Sequence, residues 1–179
     1  MLFSVAFLRC TENTLGPVSG EEALLHYDKD QDSSPFLAAG RYEAAARFTS
    51  TQIGNRTGRD LAEVRYYVAN KPESMRVKIY GAQSSAAPGS LLYSADVLAA
   101  TQPHTWNTHL LAQPVRLTSN DIWISLEFSH SARQATLGCD PGPAVTDGDW
   151  LYAADDGQWQ TLRQRTTINI NWNIRGVVK

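Results

Sequence analysis

Apolar side chains recur at every second position along most of this chain rather than at helical spacing. Met75, Val77 and Ile79 alternate with Arg76, Lys78 and Tyr80, and Ile122, Ile124, Leu126 and Phe128 alternate with Trp123, Ser125 and Glu127. Val64, Tyr66 and Val68 form a third series, while Ile168, Ile170, Trp172 and Ile174 interleave with Asn169, Asn171, Asn173 and Arg175. Successive side chains of a strand point to opposite faces, so each series predicts a half-buried strand with one wet side. That is the pattern of antiparallel sheets. Helix signals are weak and confined to Glu21–His26 and Ala38–Ala46. In the second of these, Gly40 and the alternation of Tyr42, Ala44, Ala46 and Phe48 favour a strand. Trp106 and Trp172 fall in phase with core aliphatics and are expected inside.

Turn residues separate the series: Gly54-Asn55, Asn70-Lys71-Pro72, Ala87-Pro88-Gly89, Thr101-Gln102-Pro103, Ser119-Asn120 and Asp140-Pro141-Gly142-Pro143. Asp156-Gly157, between Trp150-Leu151-Tyr152 and Trp159, predicts a hairpin because both residues tolerate positive φ. Short strands at intervals of roughly ten residues predict an all-β, antiparallel β-sandwich or barrel.

Composition narrows the classes. At 179 residues the chain fits one domain with a sizeable core. An apolar content of 42% with a net charge of -2 excludes a disordered chain. No apolar run approaches the ~20 residues of a membrane-spanning helix. Sixteen basic against eighteen acidic residues provide no basic footprint for nucleic acid. Met1–Cys10 is apolar but interrupted by Arg9, and Thr11–Gly20 is rich in Thr, Gly, Pro and Ser. Residues 1–20 read as an export remnant or linker, with a first strand as the alternative for the opening stretch, and 21–179 as the folded domain. Two cysteines, Cys10 and Cys139, are too few for a structural zinc site and form either one disulfide or two free thiols.

The ordered run His26-Tyr27-Asp28, Ala45-Ala46-Arg47-Phe48, Val77-Lys78-Ile79-Tyr80-Gly81, Pro88-Gly89-Ser90-Leu91-Leu92-Tyr93, Trp106-Asn107, Pro114-Val115-Arg116-Leu117, Ile122-Trp123-Ile124-Ser125-Leu126, Gly157-Gln158-Trp159 and Asn173-Ile174-Arg175-Gly176 resembles a known group. It is similar to the jelly-roll β-sandwich modules appended to secreted bacterial peptidases and other surface proteins. The resemblance covers about residues 24–179, and its motifs are mostly structural. It implies a two-sheet jelly roll, a secreted or cell-surface location, and a module that is usually non-catalytic. Lys29-Asp30-Gln31-Asp32 stands where such modules often carry a glycine-containing turn.

Candidate chemistry is sparse. Asp28, Asp30 and Asp32 alternate as the acidic residues opening an EF-hand loop do, but Ser33 and Ala39 occupy the positions that need Gly and Glu. A looser calcium site on these three residues and a solvated acidic turn are the two readings; no other cofactor is expected. Cys139 has no neighbouring histidine in sequence, and the carboxylate pairs Asp155/Asp156 and Asp147/Asp149 read more simply as turn residues. These groups define the alternative of a hydrolase. Aromatic residues carry the leading expectation: Trp150 and Tyr152 share a strand face, Trp159 stands across the turn, and Trp123 lies on an outward face. Their rings suit the apolar face of a sugar, with Asp149 and Gln158 near enough in sequence to bond hydroxyls. Trp123, Asp149, Trp150, Tyr152, Gln158 and Trp159 are therefore the expected ligand residues, and glycan or a neighbouring domain the expected partner. The other readings are a structural or assembly module with no small ligand, and ordinary cross-strand aromatic pairs.

Overall fold

The alternating segments pair over long registers, and the pairing decides which side of each strand is dry. The computed structural model describes residues 23–179; Cys10 and the segment 1–20 lie outside the described residues. In chain order the elements are β1 (Ala23–Leu25), β2 (Phe36–Leu37), β3 (Gly40–Phe48), α1 (Ser50–Ile53), β4 (Asp60–Val68), β5 (Ser74–Ala82), β6 (Pro88–Asp96), β7 (Thr105–Arg116) and β8 (Ile122–His130). There follow β9 (Gln134–Ala135), β10 (Cys139–Asp140), β11 (Trp150–Ala153), β12 (Gln158–Thr161), α2 (Leu162–Thr166), β13 (Asn171–Trp172) and β14 (Ile174–Val178).

Four strands form one antiparallel sheet in the order β1-β14-β4-β7, and six form another in the order β12-β11-β3-β8-β5-β6. Among the described residues there are also two short pairs, β2-β9 and β10-β13. β8 is the spine of the larger sheet, with Ile122–His130 opposed residue by residue to Phe48–Gly40 on one side and Ile122–Ser129 to Gly81–Ser74 on the other. Val64, Tyr66 and Val68 of β4, Met75, Val77 and Ile79 of β5, and Ile122, Ile124, Leu126 and Phe128 of β8 enter one hydrophobic cluster. Both larger sheets thus turn a face to the same interior, giving a sandwich-like all-β fold. Each large aliphatic or aromatic side chain so buried contributes about 1.5–3 kcal/mol. The sheets approach closely enough at Gly176 that a Cβ there would lie 2.6 Å from Ile124 Cδ1 and 2.8 Å from Leu61 Cδ1, so any larger residue would have to displace these two core side chains.

Ala38–Ala46 is resolved in favour of a strand, β3, and the described end of Glu21–His26 is the strand β1 rather than a helix. Asp156-Gly157 does close the β11–β12 hairpin, with Gly157 at φ +65°. Two short helices, α1 and α2, carry no hydrophobic periodicity that would have announced them; α2 is held by a capping box between Thr161 and Gln164.

The final alternating series departs most from its sequence pattern. Ile168 is exposed, whereas Asn171 and Asn173, expected on the wet face, are 2% and 0% exposed. The loops around Asp28 and Asp140 cover them and demand polar partners. Asn171 Nδ2 donates to the Asp140 carboxylate and to Pro143 O, and Asn173 Nδ2 donates to Asp28 Oδ2 at 2.9 Å. Buried amides stay in place because these bonds replace water. Trp172 is core as expected, its Nε1 donating to Trp150 O. Trp106 is not: it is half-buried, with the Arg175 guanidinium 4.1 Å above its ring centroid and Tyr67 against its edge. The cation over its π face satisfies a ring that the sequence phase alone would place inside.

Candidate functional site

On the larger sheet, alternation sends Arg41, Glu43 and Ala45 of β3, Lys78 and Tyr80 of β5, Trp123, Ser125 and Glu127 of β8, and Trp150 and Tyr152 of β11 to the face away from the shared interior. Register then sets them in rows. Trp159, Tyr152, Glu43 and Glu127 are successive cross-strand partners, as are Trp150, Ala45, Ser125 and Lys78. The small side chain of Ala45 leaves room for Trp150 and Trp123 to meet over it, with ring centroids 5.1 Å apart. Trp159 packs edge-on to Trp123 at 5.6 Å and against Tyr152 at 5.6 Å.

Beside this aromatic block lies an ionic one. Lys78 Nζ donates to Glu127 Oε2 at 2.6 Å and to Glu43 Oε2 at 3.0 Å. Arg41 Nη2 donates to Glu127 Oε2 at 2.7 Å, and Ser125 Oγ to Glu43 Oε1 at 2.6 Å. Burial opposes ionisation of both Lys78 and Glu127, but their mutual bonding wins. The lysine is held above its ordinary value by Glu127 and Glu43, and the Glu127 carboxyl below its own by Lys78 and Arg41. Aromatic and ionic blocks together line a cavity of about 390 Å³, walled by Tyr80, Tyr152 and Trp159 and closed on one side by Pro88 and Gly89 of β6. The volume is within the ~300–1,000 Å³ range of small-molecule sites, and the mixture of aromatic walls with a few convergent polar groups is their usual composition. A second cavity, about 510 Å³, opens beside β6 and the end of β7 among Leu92, Gln113, Pro114, Val115 and Asn120. It is larger but has no aromatic wall, and its charged lining residues are Arg116 and Asp121, the latter paired with Arg47.

Of the six ligand residues expected from sequence, Tyr152 and Trp159 line the smaller cavity. Trp123 and Trp150 are 0% and 8% exposed and lie under the wall rather than in it. Trp150 Nε1 is spent on Asp147 Oδ1 at 3.1 Å. Asp149 is fully buried and turned to α2, where its carboxylate accepts from Arg163 N at 3.1 Å; burial raises its pKa. Gln158, on the opposite phase of β12 from Trp159, is exposed and outside the cavity lining. Glu43, Lys78, Tyr80, Glu127 and Arg41 are the residues that sequence reasoning did not assemble. Their one local signal was charge and tyrosine at outward phases of three strands, without the register that joins them.

The acidic triplet does not converge on one point. Asp28 turns inward and is 2% exposed, bonded to Arg175 Nη2 at 2.7 Å and to Asn173, while Asp30 and Asp32 are exposed. Among the described residues no group of three or more His, Cys, Asp or Glu side chains is placed to hold a metal ion. The paired-carboxylate candidates are similarly occupied: Asp147 accepts from Arg47 and Trp150, and Asp156 from Arg165. Cys139 is buried, its Sγ 3.4 Å from Ser33 Oγ, and burial pushes the thiol up to about 11. A nucleophilic cysteine needs the opposite shift. At neutral pH a thiol reagent is expected to leave Cys139 unmodified in the folded protein and to label it rapidly in urea, read by peptide mass spectrometry. Rapid labelling of the folded protein would instead mark an activated thiol.

No family model matches the sequence, and no curated protein matches it. The fold does have solved counterparts. The chain is similar to the clostridial cysteine protease Cwp84, in a variant form after propeptide cleavage, with a TM-score of 0.64 at 11% identity; the likeness covers 90% of this chain and 41% of that one. A second structure is of the cysteine protease and lectin-like domains of Cwp84, a surface layer associated protein of Clostridium difficile. It superposes with a TM-score of 0.55 at 12% identity, covering 79% of this chain and 33% of the other. The chain therefore spans well under half of each of these chains. At such identities the likeness is one of fold. No helix among the described residues is long and apolar enough to cross a membrane.

Proposed function

We propose that the domain is a non-catalytic carbohydrate-binding module of a secreted or surface-associated protein, and that sugar binds on the outer face of the six-stranded sheet. The observation that carries this reading is the cavity in which Trp159, Tyr152 and Tyr80 border the Glu43–Lys78–Glu127 cluster. Aromatic faces accept the C–H face of a pyranose, and charged hydrogen-bonding groups at its edge accept and donate to hydroxyls. The resemblance in fold to a surface-layer protease with a lectin-like domain agrees with a surface accessory role. The strand orders β1-β14-β4-β7 and β3-β8-β5-β6, with crossings between the two sheets, support a jelly-roll arrangement in a single domain.

Binding is favoured over cleavage on electrostatic grounds. Glu43 and Glu127 are direct cross-strand partners, as a glycosidase dyad could be. A glycosidase, however, needs one carboxyl with a raised pKa to act as acid. Lys78 bridges the two, and the Glu127 carboxyl is held below its ordinary value.

An array of neutral and acidic oligosaccharides, with and without calcium, tests the reading. The wild-type protein is expected to retain at least one glycan class, and Trp159→Ala to lower that affinity by at least about tenfold without changing the melting temperature by more than a few degrees. No retention of any glycan would sink the proposal. It would favour the second reading, an assembly module, for which the specific observation is Leu91 and Leu92 on edge strand β6 and Leu110 on edge strand β7, each at least half exposed.

A further inference from the structure

Charge in the cavity is internally matched. Lys78 is shared between two carboxylates, and Arg41 is bound to one of them. Two cations thus face two carboxylates, and among the lining residues there is no further Lys or Arg to receive a ligand's carboxylate or sulfate. An anionic sugar would compete with Glu43 and Glu127 for Lys78 and with Glu127 for Arg41, weakening the pairing of a Glu127 side chain that is only 14% exposed.

A hydroxyl group meets no such obstacle. It both donates and accepts, so it can lie between an ammonium and a carboxylate oxygen without separating them. Glu127 Oε2 already accepts from Lys78 and Arg41, whereas its Oε1 takes no hydrogen bond among the described residues. A carboxylate with one oxygen unused beside an ammonium matches two adjacent hydroxyls of a pyranose, one donating and the other accepting.

From this matched charge we infer that the cavity takes neutral pyranosides with adjacent free hydroxyls and rejects acidic sugars. The inference rests on the carbohydrate-binding reading above and names its ligand class. Titration calorimetry with cellohexaose, mannohexaose and maltohexaose on one side and hexagalacturonic acid on the other tests it, using wild type and Glu127→Gln. Wild type is expected to bind at least one neutral hexamer and not the acidic one. Glu127→Gln keeps the side-chain shape but removes the negative charge that pairs with Arg41 and one of the two that pair with Lys78. The variant is expected to lose about tenfold in affinity for the neutral hexamer and to gain measurable affinity for hexagalacturonic acid.

Wild-type binding of hexagalacturonic acid as tight as that of any neutral hexamer would overturn the inference and leave the carbohydrate reading standing. So would a Glu127→Gln protein that loses neutral binding with no gain for the acid. Failure of wild type to bind any of the four probes would overturn this inference for the neutral hexoses tested. The carbohydrate reading itself falls only if the wider array is also blank.

Discussion

Replacing Asp28 by Asn is expected to remove about 3–5 kcal/mol of stability, the cost of leaving one partner of a buried ion pair without the other. Asp28 has a fully buried side chain and gathers the Arg175 guanidinium through Nη2 at 2.7 Å and Nε at 3.0 Å. Asn173 Nδ2 donates to the same carboxylate, and His26 Nδ1 lies 3.5 Å from its other oxygen. The Arg175 guanidinium in turn covers Trp106. One carboxylate therefore ties the loop after β1 to β14 and, through the cation, to β7. In urea melts the variant should show a lower midpoint with an unchanged slope; a wild-type midpoint would refute this account of the loop.

The same cluster sets a pH window. Burial alone would raise the Asp28 carboxyl, but His26, Arg175 and Asn173 together hold it below its ordinary value. Its contribution is present above the ordinary carboxylate range near pH ~4 and is lost as pH falls further. His26 moves the other way, raised chiefly by its bond to the Asp28 side chain. That contribution is complete below about pH 6.5 and is lost as pH rises through the higher value of the folded state. Melting temperature is thus expected to be highest between about pH 4 and 6.5 where this cluster governs it, and Asp28→Asn should flatten both flanks.

The sequence pattern is informative wherever a side chain's position depends only on its own strand. Met75, Val77 and Ile79, or Ile122 through Phe128, alternate within one element, and a one-residue slip would expose all of them, so their phase is readable. Trp123 shows where this stops. It shares the phase of Ser125 and Glu127, yet it is buried because β3 brings Ala45 beside it and β11 brings Trp150 beyond. The only local sign was the small-residue run Ala44-Ala45-Ala46, which reads equally as a weak helix. Glu43 is hidden just before that run, and nothing near it in sequence announces Lys78 or Glu127. Asn171, Asn173 and Asp28 fail for a related reason: their burial is imposed by loops folded over a strand end, whose partners lie 31 and 145 residues away. Strand phase is local, whereas register and loop cover are not.

Trp123 is also where stability and the candidate site meet. Truncation to Ala is expected to cost about 3–5 kcal/mol, the usual range for a buried tryptophan. It would open a void bounded by Trp150, Trp159, Tyr80 and Ala45. Trp159, losing the ring it packs against edge-on, would no longer be held as a wall of the cavity. Glycan affinity should therefore fall together with stability. Trp123→Phe separates packing from polarity. The indole Nε1 is buried with no hydrogen-bond partner among the described residues, so replacing it by a phenyl ring forfeits no bond and removes an unsatisfied donor. Phe fills most of the space, and its cost is expected below about 1.5 kcal/mol, with glycan affinity within about threefold of wild type. Urea melts of the two variants, followed by calorimetry with whichever neutral hexamer the wild type binds, make the comparison. Equal losses in Phe and Ala variants would mean that Nε1 has a partner, and that the indole is held by polar contact rather than by the aromatic block.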